Sequence, residues 1–482
     1  MSSGQKVSIS GKSGFQQHLL NFVFILSLIS VHLEGSYLAF ARIGWTVQAI
    51  LYVLDLRYAL YACFFHTAFF NPAGFFSNSL FTVKHLHIAV GMTAIVRLLK
   101  GELKQDLIRA WPFLKRFSLV FIVVALGTLN FVRLGTDFKA VLIPANISLV
   151  LGMMIYIAAV FTSYESLHRL KHLEQALKFF LFGVLLQTAA SLMPSFAFMP
   201  LWKTEILHNN HLGILVSLGL WYALYFFGQP SRKMSHVVST GTVVFLFAVL
   251  LGTCSRTAWI SFLLVVPFWV SEAKKSGACS RGLSLAPVLA IILVIVTLIL
   301  CASNEFIRAR VIKMPEILDL AYWQYTLQDR QNFGFLGVFR LRDLHELKDI
   351  LLIKPLTGAG FIPKVVDIHG FYFLLLGGTG IFGFIAFAAF LYRLSIGLKK
   401  STAVRTPGRE STLAAVSLCA VLTWSFSLIM ESYFLQFFVW LPVITGMIYI
   451  ETANQEGASL RAKATEIKKS CGDPQGAIHD IA

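Results

Sequence analysis

The side chains with the clearest chemical capability in this 482-residue sequence are arginines and histidines at the ends of apolar runs. Cys254-Ser255-Arg256-Thr257-Ala258-Trp259 separates two such runs with almost no loop, which puts Arg256 at the start of a helix entering hydrocarbon. A guanidinium there adds its charge to the positive helix N-terminus, a combination suited to phosphate oxygens. Arg340 and Arg342 open the segment 340–354, whose apolar residues at 341, 344, 347, 351 and 352 have the spacing of an amphipathic helix that Pro355 ends. Two residues apart, they point to different sides, so only one of them faces any given site. His369 begins another apolar run close after Asp367, and an imidazole at a membrane boundary can take a proton from a sugar hydroxyl near neutral pH. His208-Asn209-Asn210-His211 stands at the entry of a further run. Two histidines three apart need more donors to ligate a metal, and no acidic cluster or cysteine accompanies them. Hydrogen bonding to a sugar, or helix capping, is the expected role of Asn210 and His211, and no metal site is expected.

The elements that carry these residues follow from composition. The chain is 56% hydrophobic and 13% charged, about half the charged fraction of a soluble domain. With a mean hydropathy of +0.71 and roughly 20 apolar residues per membrane helix, the sequence has room for about a dozen spans. An all-α, polytopic membrane protein is predicted. Candidate spans fall near 18–38, 44–70, 79–99, 117–134, 140–162, 177–198, 211–228, 236–254, 256–271, 283–302, 369–392, 411–430 and 433–451. The run 44–70 carries Asp55 and Arg57 near its middle, and 79–99 opens on Lys84, His85 and His87. An apolar stretch at 19–31 followed by Ala39-Phe40-Ala41 has a signal-peptide outline, but His32 and Glu34 interrupt it and Arg42 follows it, so it reads as the first span.

Forty-one Lys and Arg against twenty-four Asp and Glu give +17, which in a soluble protein would suggest nucleic acid. Here the basic clusters occupy every second inter-span segment: 100–116, 169–178, 232–233, 274–281 and 393–409. Topology explains that excess, and no nucleic-acid partner is expected. The rule places these loops and the tail 452–482 in the cytoplasm. Lys6 and Lys12 put the N-terminus there too, which requires an even number of crossings before residue 100 and gives twelve in all when 79–99 is left out. The organisation expected is membrane helices over 1–302, a periplasmic loop domain over 303–368, membrane helices over 369–451 and a cytoplasmic tail over 452–482. The loop domain carries nine basic and eight acidic residues with the amphipathic helix among them. The six cysteines form no C-x-x-C pair and no zinc spacing, and no cofactor is expected. Gly377-Gly378-Thr379-Gly380-Ile381-Phe382-Gly383 lies within a span, with no strand before it or lysine after it, and reads as a close-packing stretch rather than a nucleotide loop.

Ser255-Arg256-Thr257-Ala258, then Arg340 fifteen residues before Pro355-Leu356-Thr357-Gly358-Ala359-Gly360, then His369 with Gly380 and Gly383 trailing it, resembles the O-antigen ligase and polymerase superfamily over roughly residues 205–392. The resemblance implies a bacterial inner-membrane glycosyltransferase with its active site facing the periplasm. Its donor would be an undecaprenyl-diphosphate-linked glycan, and its acceptor lipid A–core for a ligase or a second lipid-linked glycan for a polymerase. It further implies that Arg256 and Arg340 grip the diphosphate and that His369 serves the acceptor. Many members carry Asn after that histidine, whereas this chain has Gly370. The ligase is the expected activity; an O-antigen or exopolysaccharide polymerase with the same donor is the alternative, and a transporter of lipid-linked sugar fits less well. Transfer is expected to be metal-independent and inverting.

The charge pattern makes a direct prediction. Topology reporters fused near residue 330 should read periplasmic, and those near 275, 400 and 470 cytoplasmic; a cytoplasmic signal at 330 would reverse the orientation.

Overall fold

The computed structural model describes residues 14–32, 37–69, 76–77, 82–83, 85–132, 138–192, 209–228, 233–253, 255–275, scattered positions from 291 to 312, 347–360, 371–404, 409–428 and 440–455. These residues are helical apart from short connections and one two-residue hairpin, β1 (Phe76–Ser77) with β2 (Thr82–Val83). Three of the described helices contain stretches long and apolar enough to cross a membrane: Leu103–Leu129, Asn210–Phe227 and Phe371–Ser401. Large apolar side chains such as Phe22, Phe40, Ile43, Ile108 and Trp111 lie exposed on helix surfaces, where a bilayer would cover them. Both observations fit a membrane protein.

The chain divides into two compact units, Met1–Leu103 with Lys178–Ile206, and Lys104–Leu177 with Leu207–Ala482. The first holds α1 (Gly14–Ser30), α2 (Leu38–Leu54), α3 (Leu56–Ala68), α4 (His85–Leu99), the hairpin and the later part of α7 (Ser166–Leu192). The run 44–70, expected as one span, is two helices. Asp55 takes an extended conformation between them, and its carboxylate accepts the Arg57 backbone N–H at 3.0 Å, so it ends α2 and caps α3 at once. The Arg57 side chain pairs with the same carboxylate. Cross-helix contacts fix the directions. Tyr58 meets Gln17 and Asn21 at the start of α1, Gln48 donates to the Ser27 carbonyl farther along it, and His66 meets His32 beyond its end. Lys100, after α4, donates to the Val53 carbonyl near the end of α2. Helices α1 to α4 therefore alternate in direction, and the chain returns to the end at which it began without setting 79–99 aside. Glycine permits the tightest approaches: a Cβ on Gly44 would lie 2.2 Å from Ser30 Oγ, and one on Gly183 of α7 would lie 2.8 Å from the Phe65 carbonyl oxygen.

The second unit holds α5 (Leu103–Val132) beyond its first residue, α6 (Phe138–Phe161), the start of α7, α8 (Asn209–Phe227), α9 (Lys233–Gly252), α10 (Arg256–Lys275), a short helix α11 over 347–353, α12 (Phe371–Val404), α13 (Arg409–Ser427) and α14 over 440–455. Helix α13 packs on α8, α10 and α12, and Trp221 of α8 donates to Thr423 Oγ1 of α13 at 2.7 Å within that core. The amphipathic helix expected over 340–354 is described from 347, with Leu347 buried and Leu352 and Ile353 exposed; residues 340–346 lie outside the described residues.

Helix α12 is broken at Gly380, which has φ 65° and ψ −165°. Pro355–Gly360 fills the break: Ala359 N–H donates to Gly377 O (2.7 Å), Gly360 N–H to Gly378 O (2.9 Å), Ile381 N–H to Pro355 O (3.0 Å) and Phe382 N–H to Leu356 O (3.2 Å). Such direct backbone contact needs glycine, since a Cβ on Gly380 would stand 2.4 Å from Leu356 backbone atoms and one on Gly358 would stand 2.6 Å from Gly377 O. The Gly380 φ/ψ pair is itself open almost only to glycine.

Gly380→Ala should therefore lose most folded protein, through about 1–3 kcal/mol of backbone strain plus a clash that only backbone movement relieves. Gly91→Ala, at a site with open space around the Cβ, should be neutral or slightly stabilising. Detergent-phase size-exclusion profiles of tagged variants would separate the two, and a normal Gly380→Ala peak would mean the backbone seam is dispensable.

Candidate functional site

The Ser255-Arg256 turn is built by its own hydrogen bonds. Thr253 Oγ1 donates to Leu250 O at the end of α9 and accepts the Ser255 N–H; Ser255 Oγ accepts the Ala258 N–H at 3.3 Å. Trp259 pins the corner by donating from its indole to Leu250 O at 2.6 Å. Ser255 is thus the N-cap of α10, and Arg256 is its first helical residue, where backbone N–H groups lack helical partners.

The start of α8 is pressed against this turn. A Cβ on Gly213 would lie 2.8 Å from Ala258 Cβ, 2.9 Å from Ser255 Cβ and 3.2 Å from Thr253 Oγ1. Asn210 and His211, half-buried in the turn just before Gly213, are therefore carried on the helix end that abuts the Ser255-Arg256 corner. Two helix N-termini meet here, and their dipoles add, so the corner favours an anion. Of the residues expected from sequence, the structure brings together the segments bearing Asn210, His211 and Arg256. Arg340, Arg342 and His369 lie outside the described residues, as does His208.

The opposite ends of the helices in this unit carry paired cations. Arg116 donates to Glu451 at 2.6 Å, and buried Arg169 donates to Thr452 Oγ1, Gln455 Oε1 and the carbonyls of Thr162 and Tyr164, which fastens the end of α14. Glu174 accepts the buried Tyr225 hydroxyl.

In the first unit, the structure assembles a group that sequence spacing did not suggest. His32, His66 and His85 lie together beyond α1, near the end of α3 and at the start of α4, all buried. The rings of His32 and His85 stack at 4.1 Å between centroids, His32 Nε2 lies 3.2 Å from His66 Nδ1, and Trp45 stacks on His85 at 5.7 Å. His85 Nε2 is 3.0 Å from the Val31 carbonyl, and a carbonyl only accepts, so this nitrogen carries the proton. Among the described residues no set of three metal-ligating side chains is arranged to hold an ion, and a ring-to-ring hydrogen bond is suited to sharing a proton instead. The only sequence signal was three histidines in otherwise apolar runs, separated by 34 and 19 residues.

Compared with known families and curated proteins, the chain matches no family model and no curated sequence.

The Gly213 contact is testable by repacking. Gly213→Ala should lower the thermal midpoint through an overpacking cost of about 1–3 kcal/mol, and Ala258→Gly in the same chain should recover part of the loss. Equal midpoints for the single and double variants would show that α8 and the turn are not in close contact.

Proposed function

We propose that the protein is a polytopic glycosyltransferase of the bacterial inner membrane, with residues 303–368 on the periplasmic side. It transfers a glycan from undecaprenyl diphosphate to a hydroxyl of lipid A–core, as an O-antigen ligase does. The observation that carries this reading is the junction of the α8 and α10 N-termini. It gathers Asn210, His211 and the Arg256 position at one anion-favouring corner, away from the ends that hold Arg116 and Arg169.

The chemistry follows from what must be stabilised. The acceptor oxygen attacks the anomeric carbon, the bond from that carbon to the phosphate oxygen breaks, and undecaprenyl diphosphate leaves with the bonding pair. Arg256 and Arg340 hold the diphosphate and meet the charge that grows on it, in a water-poor site where fixed cations act strongly. Arg342, Asn210 and His211 contact the donor or its sugar. His369 receives the acceptor proton. The seam between Pro355–Gly360 and α12 supports the reading further, because it anchors the segment that follows Arg340 and precedes His369.

A strain lacking the protein should show lipid A–core without O-antigen, with long glycan accumulating on undecaprenyl diphosphate. Complementation with Arg256→Ala or Arg340→Ala should fail at normal protein level, and Arg→Lys should rescue poorly because an ammonium cannot make the bidentate contact. Core capped by a single repeat unit would assign the polymerase reaction with the same donor. An intact ladder with every other surface polysaccharide also unchanged would overturn the transferase reading.

A further inference from the structure

Helices α5, α12 and α14 enclose a cavity of about 360 Å³ lined by Pro112, Lys115, Arg116, Phe390, Arg393, Leu394, Gly397, Met447 and Ile450. Its origin is local. Pro112 has no N–H for the Ile108 carbonyl and its ring crowds that oxygen, while Gly397 brings no side chain to the facing wall of α12. Three cations enter the lining, and among the described residues the one carboxylate bonded to any of them is Glu451, which accepts from Arg116 Nη2 at 2.6 Å. Arg116 Nη1 is buried with no protein hydrogen-bond partner. Lys115 and Arg393 bring two further cations to the lining, both exposed and without an acidic partner among the described residues, so the recess carries more positive than negative charge. The rest of the lining is apolar, and α5 continues past it with exposed Leu107, Ile108 and Trp111.

We infer that this cavity binds the phosphate of an anionic membrane phospholipid, with Lys115, Arg116 and Arg393 around the headgroup and Phe390, Leu394, Met447 and Ile450 against the upper acyl chains. The excess of cations over Glu451 selects an anionic headgroup over a zwitterionic one. Free phosphate shares the charge but leaves the apolar wall uncovered, so the lipid is the favoured source. The site does not depend on the transferase reading. On the positive-inside orientation it opens to the cytoplasmic leaflet, where basic recesses between membrane helices meet anionic lipid.

The test uses the full-length protein purified in a neutral detergent, with phosphatidylglycerol titrated against phosphatidylcholine and the thermal midpoint as readout. Phosphatidylglycerol should raise the midpoint and phosphatidylcholine should not. Lys115→Gln and Arg393→Gln should each weaken the phosphatidylglycerol response about fivefold while leaving the lipid-free midpoint unchanged, since neither side chain has an acidic partner among the described residues. Native mass spectrometry of the unaltered protein provides a measurement independent of the variants, and should retain one phosphatidylglycerol. A response equally strong in both variants, or no retained phosphatidylglycerol, would overturn the site. Inorganic phosphate reproducing the whole midpoint shift would overturn the lipid assignment and leave an anion site.

Discussion

A backbone amide inside a bilayer has no water to bond, so a helix that breaks there must find its hydrogen bonds in other protein backbone. The break in α12 at Gly380 and the segment Pro355–Gly360 meet that requirement for each other, through four bonds of 2.7–3.2 Å. Neither partner stands alone: each would leave the backbone carbonyls and amides at the break unpaired. Their pairing ties the segment that follows α11 to the middle of α12. The same rule acts at Asp55, where a single extended residue divides α2 from α3 and its carboxylate replaces a missing acceptor.

Within the two units, polar groups are accommodated in two ways. Charged groups occur as pairs or fans: Arg57 with Asp55 and Arg97 with Glu102 in the first unit, Arg116 with Glu451 and Arg169 with four oxygens in the second. Other described polar groups are neutral and hold backbone, as Ser255 and Thr253 do in the second unit, or hold each other, as the histidines do in the first. Paired cations tolerate the low dielectric near hydrocarbon because each has a partner. Neutral caps leave helix N-termini unneutralised and therefore available to an anionic ligand.

Much of this was legible from the sequence because hydrophobic runs and charge alternation are local. The Ser255-Arg256 corner was legible for the same reason: two apolar runs with no loop between them must turn there. The division of 44–70 was not, since Asp55 and Arg57 were visible as an interruption but a one-residue reversal leaves no gap in the apolar run. Gly377–Gly383 was readable as a packing stretch, yet its partner lies some twenty residues away in a segment with no apolar pattern of its own, so the seam was not. The histidine cluster and the basic cavity are products of tertiary assembly from three helices each. No spacing rule links His32 to His66 and His85, or Arg116 to Arg393.

The Ser255 geometry also bears on the stereochemistry of the proposed transfer. A double displacement would need a nucleophile on the enzyme, and Ser255 carries the hydroxyl next to Arg256 in the chain. Ser255 is 1% exposed, and its Oγ accepts the Ala258 N–H as the cap of α10. A hydroxyl held in that role faces its own helix, and attack on a substrate would uncap α10 at a cost of about 1 kcal/mol while moving the residue that positions Arg256. The corner therefore offers the first-turn backbone N–H groups of α10, while the Ser255 hydroxyl is used as their cap. In the transfer we propose, direct displacement by the acceptor oxygen, which inverts the anomeric carbon, asks nothing of the Ser255 hydroxyl.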